Sequence, residues 1–285
     1  MPATLSRRSL ITGGLSCAIC AAGGFGLGRL SAGTPGAIRP RGAQMSTDRR
    51  LATRTNAARA SIQPDALFRA ETNEPVVALT FDDGPDPLYT PTVLDMLKAA
   101  HVHATFFLVG VNARTHQDLV TRIVDEGHTI GNHTYDHREL ELLQPHAVQA
   151  EINRGQRALV AAGAPVPTLF RPPKGYTDDV VGVLADAARF RTVFWDACVE
   201  HFVNHQSVTD GARQLLNRVQ PGSVILAHDG GHITGSGRPP LSRRPTIEAL
   251  PLVLHGLFDQ GLEVVDVPTL VARSAATSAS ATASK

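Results

Sequence analysis

Seven short β-rich runs, separated mainly by helical patterns, constrain the fold of this 285-residue chain more than any other feature. They read VVALTF, ATFFLVG, HTIGNH, TLFRP, TVFWD, SVILAH and LEVVDV. Strands that alternate with helices form parallel βα units with right-handed crossovers, because parallel neighbours cannot be joined by a tight hairpin. Two of the connecting helices are well marked. The first is expected to start with Thr90 as N-cap and Pro91 at the first helical position, with Val93, Leu94, Met96 and Leu97 on one face. The second runs from about Pro145, through Ile152, to Ala162, where GAP stops it.

Parallel strands bring their carboxyl ends to one face, which is where such folds build active sites. Asp82 and Asp83 follow the first run, His133 the third, Arg171 the fourth, Asp196 the fifth and His228 the sixth. Residues far apart in sequence are therefore expected in one mouth. Asp82 and Asp83 are adjacent acids that repel, so a cation or a proton is expected between them. His133 and His137 stand four apart in GNHTYDH, the spacing that stacks two side chains on one face of a helical turn. With one carboxylate from Asp82 or Asp83 they form a His, His, Asp set with open positions, suited to a catalytic divalent metal that holds a water. Zinc is the expected ion, and cobalt or manganese also suits two nitrogens and an oxygen.

The motifs TFDDGP, HTYDH, FRPPKG and LAH, in this order over about two hundred residues, resemble the polysaccharide deacetylase family, carbohydrate esterase family four. The resemblance covers about Glu74 to Val271. It implies an α/β fold, a distorted parallel (β/α) barrel with about seven strands. It also implies a divalent metal, a polysaccharide substrate and removal of acetyl groups from N-acetylated sugars. Carried over by position, it makes Asp83, His133 and His137 the metal ligands and Asp82 the general base. It makes His228 the acid that protonates the leaving amine, and Arg171 the brace of the catalytic carboxylate. The backbone N–H of Lys174, just after Pro173, becomes the oxyanion donor.

Two departures from the family pattern stand out. Lys174 occupies the place of an aromatic that helps wall the sugar pocket. The fourth motif, an Asp-x-x-Asp-Trp in the family, aligns with CVEHF, so its first carboxylate is replaced by Cys198. If the strand continues, Asp196, Cys198 and Glu200 share a face, so a carboxylate two residues away from Cys198 can reach the same space, and Asp196 is the candidate substitute for support of the acid-base pair. Trp195 and Phe202 are candidate pocket wall, with core packing the other reading of Trp195.

Outside this region the chain is simpler. Arg7 and Arg8 precede an apolar run from about Leu10 to Gly28, with Arg29 beyond, the layout of a twin-arginine export signal over residues 1–32. A short membrane anchor is the alternative, since the run is close to the ~20 residues that span a bilayer. Either way the body is expected outside the cytoplasm, with cell-wall or membrane association through the N-terminal segment. Cys17 and Cys20 lie inside this run, which leaves Cys198 alone in the body and argues against a disulfide framework. Residues 33–70 read as a flexible basic linker, 71–272 as the catalytic domain and 273–285 as a disordered Ser, Ala and Thr tail. A formal net charge of +1 gives no reason to expect nucleic acid as a partner. The sequence does not fix the oligomeric state. A silent carbohydrate-binding relative and a small-amide hydrolase of the same fold are the competing readings.

Overall fold

The computed structural model describes residues 56–237 and 239–283. Its centre is β1 (Val76–Asp82), buried along its whole length. The strand is apolar on both faces, as a parallel strand covered on each side must be. It pairs in parallel with β2 (Thr105–Leu108), with β7 (Val224–His228) and, through its first residues, with β8 (Glu263–Val265). From β2 the sheet continues through β3 (Thr129–Asn132), β4 (Leu169–Phe170) and β5 (Arg191–Thr192), and beyond β7 lies β6 (Ala197–Cys198). Every pairing is parallel, and the sheet curls into the distorted (β/α) barrel that the sequence resemblance implied.

The helices among the described residues are α1 (Asn56–Ile62), α2 (Thr90–Ala99), α3 (Gly110–Thr115), α4 (Gln117–Asp125), α5 (Pro145–Ala161), α6 (Asp179–Ala187), α7 (Val199–Val203), α8 (Val208–Leu216), α9 (Arg244–Asp259) and α10 (Val267–Ala283). Alternation along β1 divides the core. Val77, Leu79 and Phe81 pack against helix residues such as Val93, Leu97, Leu215 and Val253. Val76 and Ala78 pack with Phe107, Trp195 and Leu226. Thr80 and Asp82 continue this second face, so the side that ends at the mouth becomes polar there.

Four expectations need correction. TVFWD is not one strand: β5 pairs with β4, whereas β6 pairs with β7 at the other end of the sheet. Thr90 is not the cap of α2. Its hydroxyl accepts the Asp86 N–H and donates to Asp229 Oδ2 at 2.6 Å, which spends it on tying loops together. The last part of the supposed linker belongs to the folded domain: Leu67 bridges Val193 in parallel, Arg69 bridges Ser223, and Arg59, Gln63, Leu67 and Ala70 are buried. This segment links the residue after β5 to the residue before β7, so its burial depends on distant partners that no local pattern announces. The tail is also less bare than expected, since α10 runs to Ala283 and Ser274 Oγ donates to the Glu71 carbonyl at 2.9 Å. The export signal and linker residues 33–55 lie outside the described residues.

If residues 56–70 are part of the domain, Leu67→Ala should behave as a core truncation and cost about 2–4 kcal/mol. Denaturant unfolding of the variant against the unmodified chain measures this. An unchanged midpoint would mean that the segment only rests on the barrel.

Candidate active site

Two adjacent carboxylates leave the end of β1 and find different partners. Asp82 Oδ1 accepts a hydrogen bond from Arg171 Nη1 at 2.6 Å. Arg171, the residue after β4, is fully buried. It also donates to the Val193 carbonyl (2.9 Å), Thr80 Oγ1 (2.9 Å) and the Phe194 carbonyl (3.0 Å), and its guanidinium lies 4.1 Å from the Phe107 ring centre. A buried guanidinium is tolerated when its donors are matched and a counter-charge is in contact. Here the carboxylate and the barrel's backbone carbonyls supply both.

Asp83 is turned by a left-handed backbone (φ 73°), which breaks the strand's alternation. Its Oδ2 accepts from Arg243 Nη2 at 2.7 Å, while Oδ1 faces His137 Nε2 at 3.1 Å and His133 Nε2 at 3.5 Å. Burial would raise the Asp83 pKa, but His137 and His133 hold it well below the usual carboxylate range. Asn112 fixes the turn by donating to the Asp83 carbonyl (3.0 Å) and the His232 carbonyl (2.9 Å). Asp86, the third acid of the motif, accepts the Leu88 and Gly231 N–H groups, so its role is to bind loops.

His133 and His137 do not sit on a helical turn. The chain from His133 to Arg138 is irregular, with left-handed conformations at Thr134 (φ 70°) and His137 (φ 58°), and the two rings stand 5.0 Å apart. Helix α5 presses on this loop at Gly155, where a Cβ would come within 2.4 Å of Asn132 Oδ1 and 2.8 Å of the Thr134 carbonyl carbon. His133 Nδ1–H donates to the Arg171 carbonyl at 2.7 Å, which leaves Nε2 with its lone pair toward Asp83. One ligand atom from each of Asp83, His133 and His137 lies within 4.8 Å of the others. The buried Asp83 Oδ1 has no hydrogen-bond donor. An orphaned carboxylate oxygen beside a tautomer-fixed imidazole fits a divalent cation.

His228 ends β7, buried. Its Nδ1 is 3.0 Å from Glu200 Oε2, at ion-pair distance but off the line of a good hydrogen bond. Burial would lower the His228 pKa, yet it is raised, chiefly by Glu200. Burial would raise Glu200, which His228 instead draws down to about 2.

Asp196 is not at the mouth. The parallel register sets Ala197 opposite Ile225, so Asp196 lies level with Val224, four residues or roughly 13 Å from His228 at strand rise. Its carboxylate accepts from Ser223 Oγ (2.8 Å) and the Val224 N–H (2.9 Å). Trp195 is packed in the core beneath Arg59 and Arg171. Pro173 is buried, and Lys174 follows it with φ 59° and its Nζ 2.5 Å from Glu139 Oε1.

The polysaccharide deacetylase family model matches residues 69–193. A peptidoglycan-N-acetylglucosamine deacetylase of Bacillus cereus is 36% identical over 207 residues, covering 70% of this chain and 89% of that protein. The chain belongs to the polysaccharide deacetylase family. A chitooligosaccharide deacetylase of a Bradyrhizobium species is 35% identical over 68% of this chain and 90% of its own. The crystal structure of the Bc1960 peptidoglycan N-acetylglucosamine deacetylase superimposes with a TM-score of 0.65 at 32% identity, covering 72% of this chain and 92% of that one.

Glu200 was legible as a residue near the right place, but Arg243 and Asn112 carry no sequence signal. Asp229, the residue after His228, is fully buried beside Asp83. Burial above all, with Asp83 and Asp86 adding to it, pushes its pKa up to about 7. Between about pH 4 and pH 7 the folded state therefore keeps a proton that the unfolded chain has released, and stability falls as pH rises. In chelator-treated protein, Asp229→Asn should raise the melting temperature relative to the unmodified chain more at pH 8 than at pH 4. A difference that is constant with pH would contradict this assignment.

Proposed function

We propose that this chain is an exported, metal-dependent deacetylase that hydrolyses N-acetyl groups of N-acetylglucosamine-type polysaccharide, in peptidoglycan or chitin oligomers. The observation that carries the reading is the separation of the two acids: Asp82 is held by Arg171 outside the donor set, and Asp83 is aimed into it with His133 and His137. The named activities of the relatives support the substrate class. The paired arginines and apolar run at the N-terminus support export.

Asp83, His133 and His137 would hold the ion, with zinc favoured and cobalt or manganese compatible. A divalent metal at such a site polarises the acetamide carbonyl and lowers the pKa of water. Asp82, with Arg171 on Oδ1, keeps Oδ2 to accept a proton from the attacking water. The Lys174 N–H stabilises the negative charge that develops on the acetyl oxygen. His228, whose pKa Glu200 raises against the effect of burial, gives its proton to the departing nitrogen as the C–N bond breaks, which leaves acetate and a free amine. Glu200 in contact with His228 also weakens the case for a silent carbohydrate-binding relative, because a carboxylate accompanies the acid after all.

Acetate release from peptidoglycan, chitooligosaccharides and acetylxylan, with and without added metal, tests the reading. Release from the first two that is abolished by chelation and restored by zinc is expected; release from none would overturn it. On an active substrate, Asp82→Asn should retain metal and lose ~100- to 10,000-fold in rate. Asp83→Asn and the double variant His133→Ala, His137→Ala should lose the metal itself, measured by elemental analysis after dialysis. Equal metal loss in Asp82→Asn and Asp83→Asn would show that the two acids are not divided in this way.

A further inference from the structure

Helix α1 precedes the residues matched by the family model, yet one of its faces is fitted to the turn that carries Lys174. Asn56, Arg59 and Gln63 are spaced three and four apart, which sets their side chains on one side of a helix, and the Gln63 N–H extends the helical bonding to the Arg59 carbonyl at 2.8 Å. Asn56 Nδ2 donates to the Trp195 carbonyl at 2.8 Å, and its Oδ1 accepts from Arg59 Nη1 at 3.0 Å. Arg59 is only 2% exposed, with its guanidinium carbon 5.1 Å from the Trp195 ring centre and 5.2 Å from that of Phe194. Gln63 accepts the Thr177 hydroxyl at 2.9 Å and donates to Thr192 Oγ1 at 3.2 Å, and both threonines are buried. Between these contacts runs the 3-10 turn Pro173–Gly175. The Gly175 N–H closes it on the Pro172 carbonyl (2.9 Å) and the Tyr176 N–H on the Pro173 carbonyl (3.1 Å), so the Lys174 N–H takes no part in the closure. Lys174 (φ 59°) and Gly175 (φ 66°) are both left-handed, a conformation that a lysine keeps only when its surroundings impose it. A Cβ on Gly175 would come 2.6 Å from Trp195 Cη2 and 2.9 Å from Arg59 Nη2, which shows the turn pressed directly against both side chains.

We propose that α1 is part of the active-site scaffold and that Arg59, acting through Trp195 and Gly175, is the positioning residue of the Lys174 N–H. The guanidinium is flat and always charged, so it lies against the indole and the glycine backbone at once, and Asn56 fixes its far side. Trp195 also meets the Arg171 guanidinium, at 5.5 Å from its ring centre, so the same indole backs both the Lys174 turn and the arginine that braces Asp82. An oxyanion donor stabilises developing charge only from the right place, and a displaced donor lowers the rate of the chemical step while substrate binding stays nearly intact. The inference deepens the deacetylase reading, on which the role of the Lys174 N–H rests, but the Arg59 contact with the turn is testable without it.

The test uses Arg59→Met and Arg59→Lys, each in the full chain loaded with zinc. Arg59→Met keeps a side chain of similar length but gives up the charge, the flat face and the bond to Asn56. It should lower kcat by roughly 10- to 100-fold, with KM changed less than about threefold and zinc content unchanged. Arg59→Lys keeps the charge without the flat face and should lose less, roughly 3- to 30-fold. Lysine occurs only at positions 98, 174 and 285, so labelling with 15N-lysine reports the Lys174 backbone amide directly. Its NMR signal should shift or broaden in Arg59→Met while that of Lys98 stays in place. The proposal is overturned if kcat is unchanged, if it falls only in proportion to lost zinc or folded protein, or if the loss lies in KM. It is also overturned if the Lys174 amide does not move, or moves only together with Lys98. If Arg59→Met does not fold, Arg59→Lys decides by the same readouts. Should the unmodified protein release no acetate at all, the deacetylase reading fails, while the Lys174 amide still judges whether Arg59 places the turn.

Discussion

Two carboxylates on consecutive residues at the end of a buried strand are the constraint around which the rest of this molecule is arranged. In a low-dielectric setting neither can stay ionised without a dedicated counter-charge. Asp82 receives Arg171, which itself needs the barrel interior: the Val193 and Phe194 carbonyls, the Thr80 hydroxyl and the face of Phe107. Asp83 receives Arg243 on one oxygen and the two histidines on the other. The polar half of the barrel is therefore a charge-matching layer. Removing one partner from such a buried pair typically costs ~3–5 kcal/mol, so fold and chemistry depend on the same residues.

The same constraint explains where the backbone is forced. Of the non-glycine residues in left-handed conformations among those described, Asp83, Thr134 and His137 lie on loops of the site and Lys174 in the short 3-10 turn Pro173–Gly175, while His101 and Arg189 stand apart. Each such residue costs of order 1–3 kcal/mol unless its surroundings hold it, and strain of this kind collects at functional sites. Asn112 beneath the Asp83 turn and Gly155 beneath the histidine loop are the holding elements. Opposite them, Glu200 accepts the His228 N–H and is itself held by the Thr246 hydroxyl, from a helix distant in sequence.

How much of this could be read beforehand differs from residue to residue for physical reasons. Asp82, His133, Arg171 and His228 were legible because a parallel sheet makes every strand end converge, and their side-chain types are rare in apolar runs. The helix over Pro145–Ala161 was legible from its periodicity. Asp196 was misplaced because its location depends on where a two-residue strand begins, which local pattern does not encode; one break in TVFWD moved it to the far end of β7. The folded status of residues 56–70 was hidden because the partners they bridge, Val193 and Ser223, lie more than a hundred residues away. Arg243 reaches Asp83 across 160 positions, a contact that only the fold creates.

The division of labour between Asp82 and Asp83 is the central claim, and a crystal structure of the zinc-loaded protein, with the ion located by its anomalous signal, tests it most directly. The account predicts one ion bound by Asp83, His133 and His137, with Asp82 outside its coordination shell and still paired to Arg171. An ion ligated by Asp82, or one bound away from these three residues, would contradict it.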